Sequence, residues 1–457
     1  MKLTLGQIAD WIHAEGDFTT DVEALGYSID SRTINAGELY FAVTGERTDG
    51  HNYVEAALTN GAVAAVVSSH WLAPDELDPC KFLWVPEGED SVLKAMQTLA
   101  REVRRHWGRR VIGITGSAGK TTTKEAVAQV LSARFNVLKS AGNLNNHFGV
   151  PLQLLRLEPE HEVAVIEMGM NHAGEIAALA KIAEPNWAVV SNVAPVHLEH
   201  FPEGIAGIAK AKYELVQALP PDGVAVLNGD DPYVAAFARG LGERAVLFGL
   251  QDGLEVRAEK VVEAGAEGML FDVIAAGERA EVRLALLGRH NVYNALAAIA
   301  VGFRSGMGLA ECAAAVGQMQ PSEKRGAVVE WRGARIVNDS YNSNPVALNA
   351  MVDALMTMPA ERHIVVAGEM LELGPDAATL HAACGRHMAT SGVDLIVGVR
   401  GLASALVNAA AEAGVVAVFV ESPAAAGGWM KENLRSGDAV LLKASRGVRL
   451  EGALAEL

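Results

Sequence analysis

The chain has 457 residues, about three times the roughly 150 residues of a typical domain, so its length excludes a single small module and favours two to four domains. Half of the residues are apolar and a fifth are charged, which excludes global disorder. Lys plus Arg number 38 and Asp plus Glu number 55, and this net charge of −17 argues against a nucleic-acid or anionic-membrane partner.

The cysteines and the first residues indicate the compartment. Cys80, Cys312 and Cys384 lie far apart without a CxxC pair, which is typical of a reducing compartment. The start of the chain carries Asp10 and Glu15 where a signal peptide needs an apolar core, and no window reaches about 18 uninterrupted apolar residues. We expect a cytoplasmic protein without a membrane span.

In chain order, short Val/Ile-rich runs alternate with longer Ala-rich amphipathic stretches, a pattern that predicts βαβ units and parallel sheets. Six apolar runs lead directly into polar clusters. They are RRVIGIT before GSAGKTTTK, EVAVIEM before GMNHAGE, NWAVVSNV before APVHLEH, ARIVNDS before YNSNP, RHIVVAG before EMLELG, and AVLLKAS before RGVR. Ligands bind at the carboxyl ends of parallel strands, so these clusters predict one site assembled from distant segments.

The pattern divides the chain into three domains of the α/β class. Residues 1–107 lack a phosphate loop and predict a small mixed α/β domain. Residues 108–320 carry the phosphate loop and close with a long helix after GRHNVYNALAAIAVG. Residues 321–457 hold three or four further strand–helix units, including an Ala-rich helix at 402–414.

The segment GITGSAGKTTTK at 113–124 follows an apolar strand and opens a helix, the context in which a Gly-rich loop binds phosphate. Lys120 can bridge the outer phosphates of ATP, and the Thr121 hydroxyl can bind Mg²⁺. The spacing departs from the usual motif, because Ile114 stands where a glycine is expected. The alternative is a glycine turn that only packs the helix on the sheet. The residues expected to contact ATP here are Thr115, Gly116, Ser117, Ala118, Gly119, Lys120, Thr121 and Thr122.

Three further side chains are candidates for the same site. Glu167 ends the next strand and could hold Mg²⁺, or it could be a solvated carboxylate. His197 lies in the loop after another strand, where it could be a ligand or a surface residue. Lys212 lies on the apolar stripe of a predicted helix, where burial would favour a neutral amine that can capture carbon dioxide as a carbamate; the alternative is a lysine that reaches solvent.

These residues resemble a known family, the ATP-dependent Mur ligases of peptidoglycan synthesis. The resemblance covers essentially the whole chain. It is carried by DSRTINAGELYFAVTGERTDGHNY, TGSAGKTTTKE, GNLNNHFGVPLQLLRL, IEMGMNHAGEI, SNVAPVHLEHF, AKAKYEL, GRHNVYNALAA, NDSYNSNP, GEMLELG and KASRG. The DNPR signature of the diaminopimelate-adding relatives is absent, and NDSYNSNP and MLELG look like the dipeptide-adding branch.

The resemblance implies a fold and a set of roles. The fold would be a small mixed α/β N-terminal domain that binds the UDP-muramoyl substrate, a central P-loop ATPase-like parallel sheet, and a mobile, Rossmann-like C-terminal domain that binds the dipeptide. Lys120 would bind the ATP phosphates and act in catalysis with His197 and Lys212. Two Mg²⁺ ions would be held by Thr121, Glu167, His197 and a carbamylated Lys212.

The resemblance also implies contacts outside the phosphate loop. Asn294 would face the adenine, with Arg325 and Asp339 reaching the nucleotide from the third domain. Substrate binding would involve Ser31, Arg32, Asn145 and Asn146, the first two at the uridine diphosphate and the other two at the muramoyl-peptide.

The implied reaction joins D-alanyl-D-alanine to UDP-N-acetylmuramoyl-tripeptide through an acyl phosphate, catalysed by a monomer. One alternative is another ligase of the superfamily, either a folylpolyglutamate synthase or a different amino-acid-adding Mur enzyme. The domain of about 100 residues before the phosphate loop argues against the folate enzyme. The other alternative is a nucleotide-dependent switch, in which hydrolysis only resets conformation.

Overall fold

The structure is a computed structural model that describes residues 1–45, 48–196 and 198–457. Its strands form four sheets, which confirms the predicted α/β class. Within the described part of the chain, no helix combines the length and apolar character needed to cross a membrane.

The first domain pairs a two-stranded antiparallel sheet, β1–β2, with a four-stranded parallel sheet in the order β3-β4-β5-β6. The long helix α3 leads out of the domain and ends at Gly108, which adopts the left-handed conformation (φ 68°) that favours glycine at a helix terminus. The elements are β1 Leu3–Thr4, α1 Leu5–Ile12, β2 Glu23–Ala24, β3 Gly26–Ser28, β4 Glu38–Phe41, α2 Val54–Thr59, β5 Ala64–Ser68, β6 Phe82–Val85 and α3 Ser91–Trp107.

The central domain is built on a nine-stranded sheet in the order β15-β14-β13-β12-β11-β10-β7-β9-β8. In this order the seven strands from β13 to β8, which include β7, are parallel to one another. Strands β14 and β15 extend the sheet beyond β13 as antiparallel neighbours. The elements are β7 Arg110–Thr115, α4 Lys120–Leu131, β8 Val137–Lys139, α5 Gly149–Leu154, β9 Val163–Glu167, α6 Glu175–Ala183, β10 Trp187–Val190, α7 Ile205–Gln217, β11 Val224–Asn228, α8 Pro232–Ala236, β12 Ala245–Gly249, β13 Val256–Glu263, β14 Met269–Ala275, β15 Glu278–Leu284, α9 His290–Arg304 and α10 Leu309–Gly317.

The third domain contains a six-stranded sheet in the order β16-β17-β21-β18-β19-β20, parallel except for β16. Helix α11 begins where the Asn344 side chain accepts a hydrogen bond from the Ala347 amide and Pro345 occupies the first turn. The elements are β16 Ala327–Trp331, β17 Ala334–Asn338, α11 Pro345–Met356, β18 Arg362–Gly368, α12 Ala377–Ser391, β19 Leu395–Val399, α13 Ala403–Glu412, β20 Val416–Val420, α14 Pro423–Asn433 and β21 Asp438–Lys443.

Two apolar layers cover the two faces of the central sheet. Alternation along β7 sends Val111 into one layer and Ile114 into the other. The layer of Val111 continues into the first domain, where it includes Leu39 of β4. The third domain has apolar layers of its own, and among the described residues Leu287 is the central-domain member of one of them. The first and central domains therefore share a core, whereas the third is attached mainly through its surface.

The strands that lead into the predicted site are neighbours in their sheets. In the central sheet β7 lies between β9 and β10, and in the third sheet β21 lies between β17 and β18. The register pairs Ile114 with Glu167 and Thr115 with Val190, so three strands of the central sheet end at one level. The predicted polar clusters therefore lie at the carboxyl ends of neighbouring strands, in the central sheet and in the third sheet. The boundaries at residues 107 and 320 stay a prediction.

Candidate active site

The phosphate loop joins the end of β7 to the start of α4. Gly119 has φ 77°, and a Cβ there would also lie 2.7 Å from Asn294 Oδ1. A Cβ at Gly116 would collide with Ser191 Oγ. Both positions therefore require glycine, one for its backbone conformation and its neighbour, the other for its neighbour alone.

The loop after β10 holds the phosphate loop in place. The Ser117 amide donates to the Asn192 carbonyl at 3.0 Å. The Ala118 amide donates to Asn192 Oδ1 at 2.9 Å, and Asn192 Nδ2 donates to the Ala118 carbonyl at 2.9 Å. Ser191 Oγ donates to the same carbonyl at 2.9 Å. Sequence reasoning missed Ser191 and Asn192, although both lie in the quoted SNVAP cluster, because their role depends on β10 lying beside β7.

Lys120 begins α4 and bends back toward its own loop. Its Nζ donates to the Gly116 carbonyl at 2.9 Å. Burial lowers the pKa of Lys120, the nearby Glu167 carboxylate opposes that effect, and Arg325 adds to it. The loop lysine thus lies within electrostatic reach of the predicted metal ligand and of a cation from the third domain.

Glu167 has the features of a metal ligand. Its Oε1 accepts a hydrogen bond of 2.7 Å from Asn145 Nδ2, whereas its Oε2 is buried and accepts no hydrogen bond from the described residues. Lys124 Nζ lies 3.9 Å from Oε2. A buried carboxylate oxygen without a hydrogen bond is costly, and Mg²⁺ prefers oxygen ligands, so the donor set of Glu167 and the Thr121 hydroxyl fits Mg²⁺.

No group of three or more His, Cys, Asp or Glu side chains that could hold a metal exists within residues 1–45, 48–196 and 198–457. His197, the predicted third ligand, lies outside the described residues. The described part of the site therefore offers one carboxylate and one hydroxyl, and further ligands would come from His197 and from a modified Lys212.

Lys212 lies on α7 and is 2% exposed. No hydrogen bond or ion pair to its amine is present among the described residues. Burial holds the pKa of Lys212 well below its usual value, and the charge of Lys120 lowers it further. Since most buried lysines find a partner, a buried amine without one among the described residues is an unusual feature of the site.

Asn294 lies behind the phosphate loop and is almost fully buried. Its Oδ1 accepts a hydrogen bond of 3.0 Å from Thr123 Oγ1, and its Nδ2 donates to Asn291 Oδ1 at 2.8 Å. Both ends of its amide thus have protein partners, and a contact with adenine stays a prediction. Of two other predicted ATP contacts, Thr115 has a buried Oγ1 with no hydrogen bond among the described residues, and Thr122 lies in the first turn of α4.

The third domain reaches the phosphate loop through Arg325. Its Nη2 donates to Thr121 Oγ1 at 3.2 Å. Asp339 instead pairs with Lys443, at the adjoining end of β21. Burial lowers the pKa of His290, at the start of α9, to about 4; Asp339 opposes this effect and Lys443 adds to it. Sequence reasoning missed Lys443 and His290, although KASRG and GRHNVY contain them.

The predicted substrate residues are spread over two domains. Ser31 is buried and its carbonyl accepts from Asn60 Nδ2 at 2.8 Å, whereas Arg32 is exposed and pairs with Asp30 through Nη2 and Oδ2 at 2.7 Å. Neither contacts the phosphate loop in the structure.

The two loop asparagines have different local roles. Asn145 orients Glu167, as described above. Asn146 Oδ1 accepts from the Gly149 amide at 2.9 Å, at the start of α5. Their contact with a muramoyl-peptide stays a prediction.

Comparisons with known proteins match this arrangement from end to end. Three family models match in order, the Mur ligase family catalytic domain at residues 24–104, the Mur ligase middle domain at 114–302, and the Mur ligase glutamate ligase domain at 324–446. The chain is 32% identical to the UDP-N-acetylmuramoyl-tripeptide--D-alanyl-D-alanine ligase of Bacillus subtilis, covering 94% of this chain and 93% of the relative.

Solved structures give the same result. The chain is similar to a crystal structure of MurF from Acinetobacter baumannii with a TM-score of 0.89 and 29% identity, covering 100% of this chain and 99% of that one. It is also similar to the MurF ligase of Thermotoga maritima in complex with ADP, with a TM-score of 0.82 and 27% identity, covering 95% of this chain and 97% of that one.

Proposed function

Because the chain belongs to the Mur ligase family, we propose that it is an ATP-dependent amide ligase that adds D-alanyl-D-alanine to UDP-N-acetylmuramoyl-tripeptide. The observation that carries the choice of substrates is the likeness to the B. subtilis ligase over 94% of the chain. The reaction supplies the peptide of a peptidoglycan precursor, and we place it in the cytoplasm, where ATP and UDP-linked precursors are made.

The phosphate loop supports binding of ATP. Its amides and Lys120 lie at the start of α4, where the helix dipole also favours anions. When bound, Mg²⁺ would neutralise charge on the phosphate oxygens, held by Thr121 and Glu167 together with His197 and a carbamylated Lys212. We propose two such ions, as the family resemblance implies.

The proposed ligation takes place in two steps. The terminal carboxylate of the tripeptide attacks the γ-phosphorus, and the bond to the bridging oxygen of ADP breaks. The resulting acyl phosphate has a good leaving group, so the neutral amine of the dipeptide attacks the acyl carbon and phosphate departs. The amine proton is lost to solvent or base. Lys120 and the loop amides stabilise the charge that develops on the transferring phosphoryl group.

An acyl phosphate is lost if water reaches it, and this supports a closing role for the third domain. Arg325 already links that domain to Thr121. We propose that the third domain carries the dipeptide to the acyl phosphate and shields the site while the amide forms. We also propose that the enzyme acts as a monomer.

Mass spectrometry of the product tests the substrates. The purified protein, ATP, Mg²⁺ and UDP-N-acetylmuramoyl-tripeptide should yield the pentapeptide only with D-alanyl-D-alanine. Extension by glutamate, or addition of a single amino acid to a shorter muramoyl-peptide, would favour the other ligases of the superfamily. Sedimentation of the active protein as a dimer would contradict the monomer.

A further inference from the structure

The ring of Tyr341 contacts Arg325, which reaches the phosphate loop from the third domain. Tyr341 lies in the loop after β17, and Arg325 Cζ stands 3.9 Å from the centre of its ring. Arg446 Cζ lies 5.5 Å from the same centre. The first distance is that of a closely stacked cation–π pair, and the second is near the limit of such an interaction.

The backbone around this ring is tied down. The Tyr341 amide donates to the Lys324 carbonyl at 3.1 Å, next to Arg325 in the chain. Glu451 Oε1 accepts from Lys324 Nζ at 3.0 Å and from Arg446 Nη1 at 2.7 Å. The backbone of Tyr341 is thus fixed to Lys324, the residue that precedes Arg325 in the chain.

The guanidinium of Arg325 has a single hydrogen-bond partner among the described residues. Among the described residues it forms no ion pair with a carboxylate, and its one side-chain hydrogen bond is the contact with Thr121 Oγ1. A guanidinium has five N–H donors, so four donors of Arg325 have no hydrogen bond among the described residues. A carboxylate partner would neutralise this charge and compete with phosphate, whereas an aromatic ring orients a guanidinium without neutralising it.

We infer that Tyr341 is a positioning residue that stacks on Arg325 and holds its guanidinium toward the phosphates of ATP at the phosphate loop. The inference rests on the proposed function. The ring limits the rotamers that Arg325 adopts before the nucleotide binds, so less side-chain entropy is lost on binding. Such preorganisation raises the affinity for the nucleotide even though Tyr341 does not contact it. The Tyr341 hydroxyl has no hydrogen bond within the described part of the chain, so the ring alone carries the effect.

The test compares binding of a non-hydrolysable ATP analogue with Mg²⁺ by calorimetry. Tyr341→Leu should bind the analogue about three- to tenfold more weakly than the native protein, the range expected for loss of a cation–π pair. Tyr341→Phe, which keeps the ring, should bind within about twofold of the native protein. Tyr53→Leu makes the same change in the first domain and should leave the affinity unchanged.

Coupling to Arg325 separates positioning from general packing. In an Arg325→Met background Tyr341→Leu should cause no further loss, whereas in an Arg446→Met background the loss should persist. Thermal unfolding checks that each variant is folded, and Tyr341→Gln replaces Tyr341→Leu if that variant does not fold.

Three results would overturn the inference. They are native affinity in Tyr341→Leu, an equal loss in Tyr341→Phe, and a loss that persists without Arg325. Failure of the native protein to bind the analogue would instead count against the proposed ATP-dependent reaction, so the two failures are distinguishable.

Discussion

Arg325 of the third domain donates a hydrogen bond of 3.2 Å to Thr121 Oγ1, the hydroxyl predicted to bind Mg²⁺ in the central domain. The contact joins two domains whose apolar cores are otherwise nearly separate. It places a cation beside the phosphate loop and depends on how the third domain is oriented. A change in domain orientation would therefore change the charge at the site.

We predict that the third domain swings as a rigid body about the boundary near residue 320. The first and central domains share an apolar layer and should move together, whereas the third has its own core. Small-angle scattering with and without a non-hydrolysable ATP analogue plus muramoyl substrate should give different profiles. Coincident profiles would refute the swing.

Lys212→Ala should lower the ligation rate by at least about tenfold, because the buried amine of Lys212 is the proposed site of the carbamate. A short carboxylate such as acetate should restore part of the rate by filling the same space. Lys210→Ala is the matched control, since Lys210 lies on the same helix but is exposed and should keep near-normal activity. Near-normal activity of Lys212→Ala would argue against the carbamate.

Glu167→Gln should weaken metal binding by at least about tenfold, since it removes the charge of the buried carboxylate, whose Oε2 accepts no hydrogen bond among the described residues. Titration of Mn²⁺ in the presence of an ATP analogue, followed by electron paramagnetic resonance, measures this without turnover. Glu160→Gln removes one carboxylate from an exposed loop and should leave the affinity unchanged. Equal metal affinity in both variants would remove Glu167 from the site.

Acid should destabilise the protein through His290. Burial lowers the pKa of this side chain from 6.5 to about 4, so the unfolded chain binds a proton that the folded chain does not. Its contribution to stability is complete above pH 6.5 and is lost as the pH falls to about 4. The full effect is about 3 kcal/mol at 1.36 kcal/mol per pKa unit.

Urea unfolding across that pH range measures the effect. His290→Gln should lose less stability than the native protein between pH 6.5 and 4.5. His106→Gln replaces an exposed histidine that forms no ion pair among the described residues, and it should keep the native pH dependence. Identical slopes for all three proteins would show that His290 is not the titrating group.

Much of the site could be predicted from local patterns. The strand, glycines and helix start around Lys120 are contiguous in sequence, and the apolar stripe of α7 indicates the burial of Lys212. Glu167 is predicted because it ends an apolar run. Each of these inferences needs only the hydrophobic periodicity of one helix or strand, or the position where that element ends.

The remaining contacts depend on the order of strands, which no local pattern specifies. Asn192 holds the phosphate loop because β10 lies beside β7, and Lys443 meets Asp339 because β21 lies beside β17. The contact of Arg325 with Thr121 also requires the third domain to face the central one. Such relationships join residues 74 to 204 positions apart.

Phosphate release is the most direct measure of the proposed reaction. With ATP and Mg²⁺ present, the purified protein should release phosphate only when UDP-N-acetylmuramoyl-tripeptide and D-alanyl-D-alanine are both added, in equal amount to the pentapeptide formed. Steady phosphate release without either substrate, and without pentapeptide, would contradict the ligase and favour a nucleotide-dependent switch.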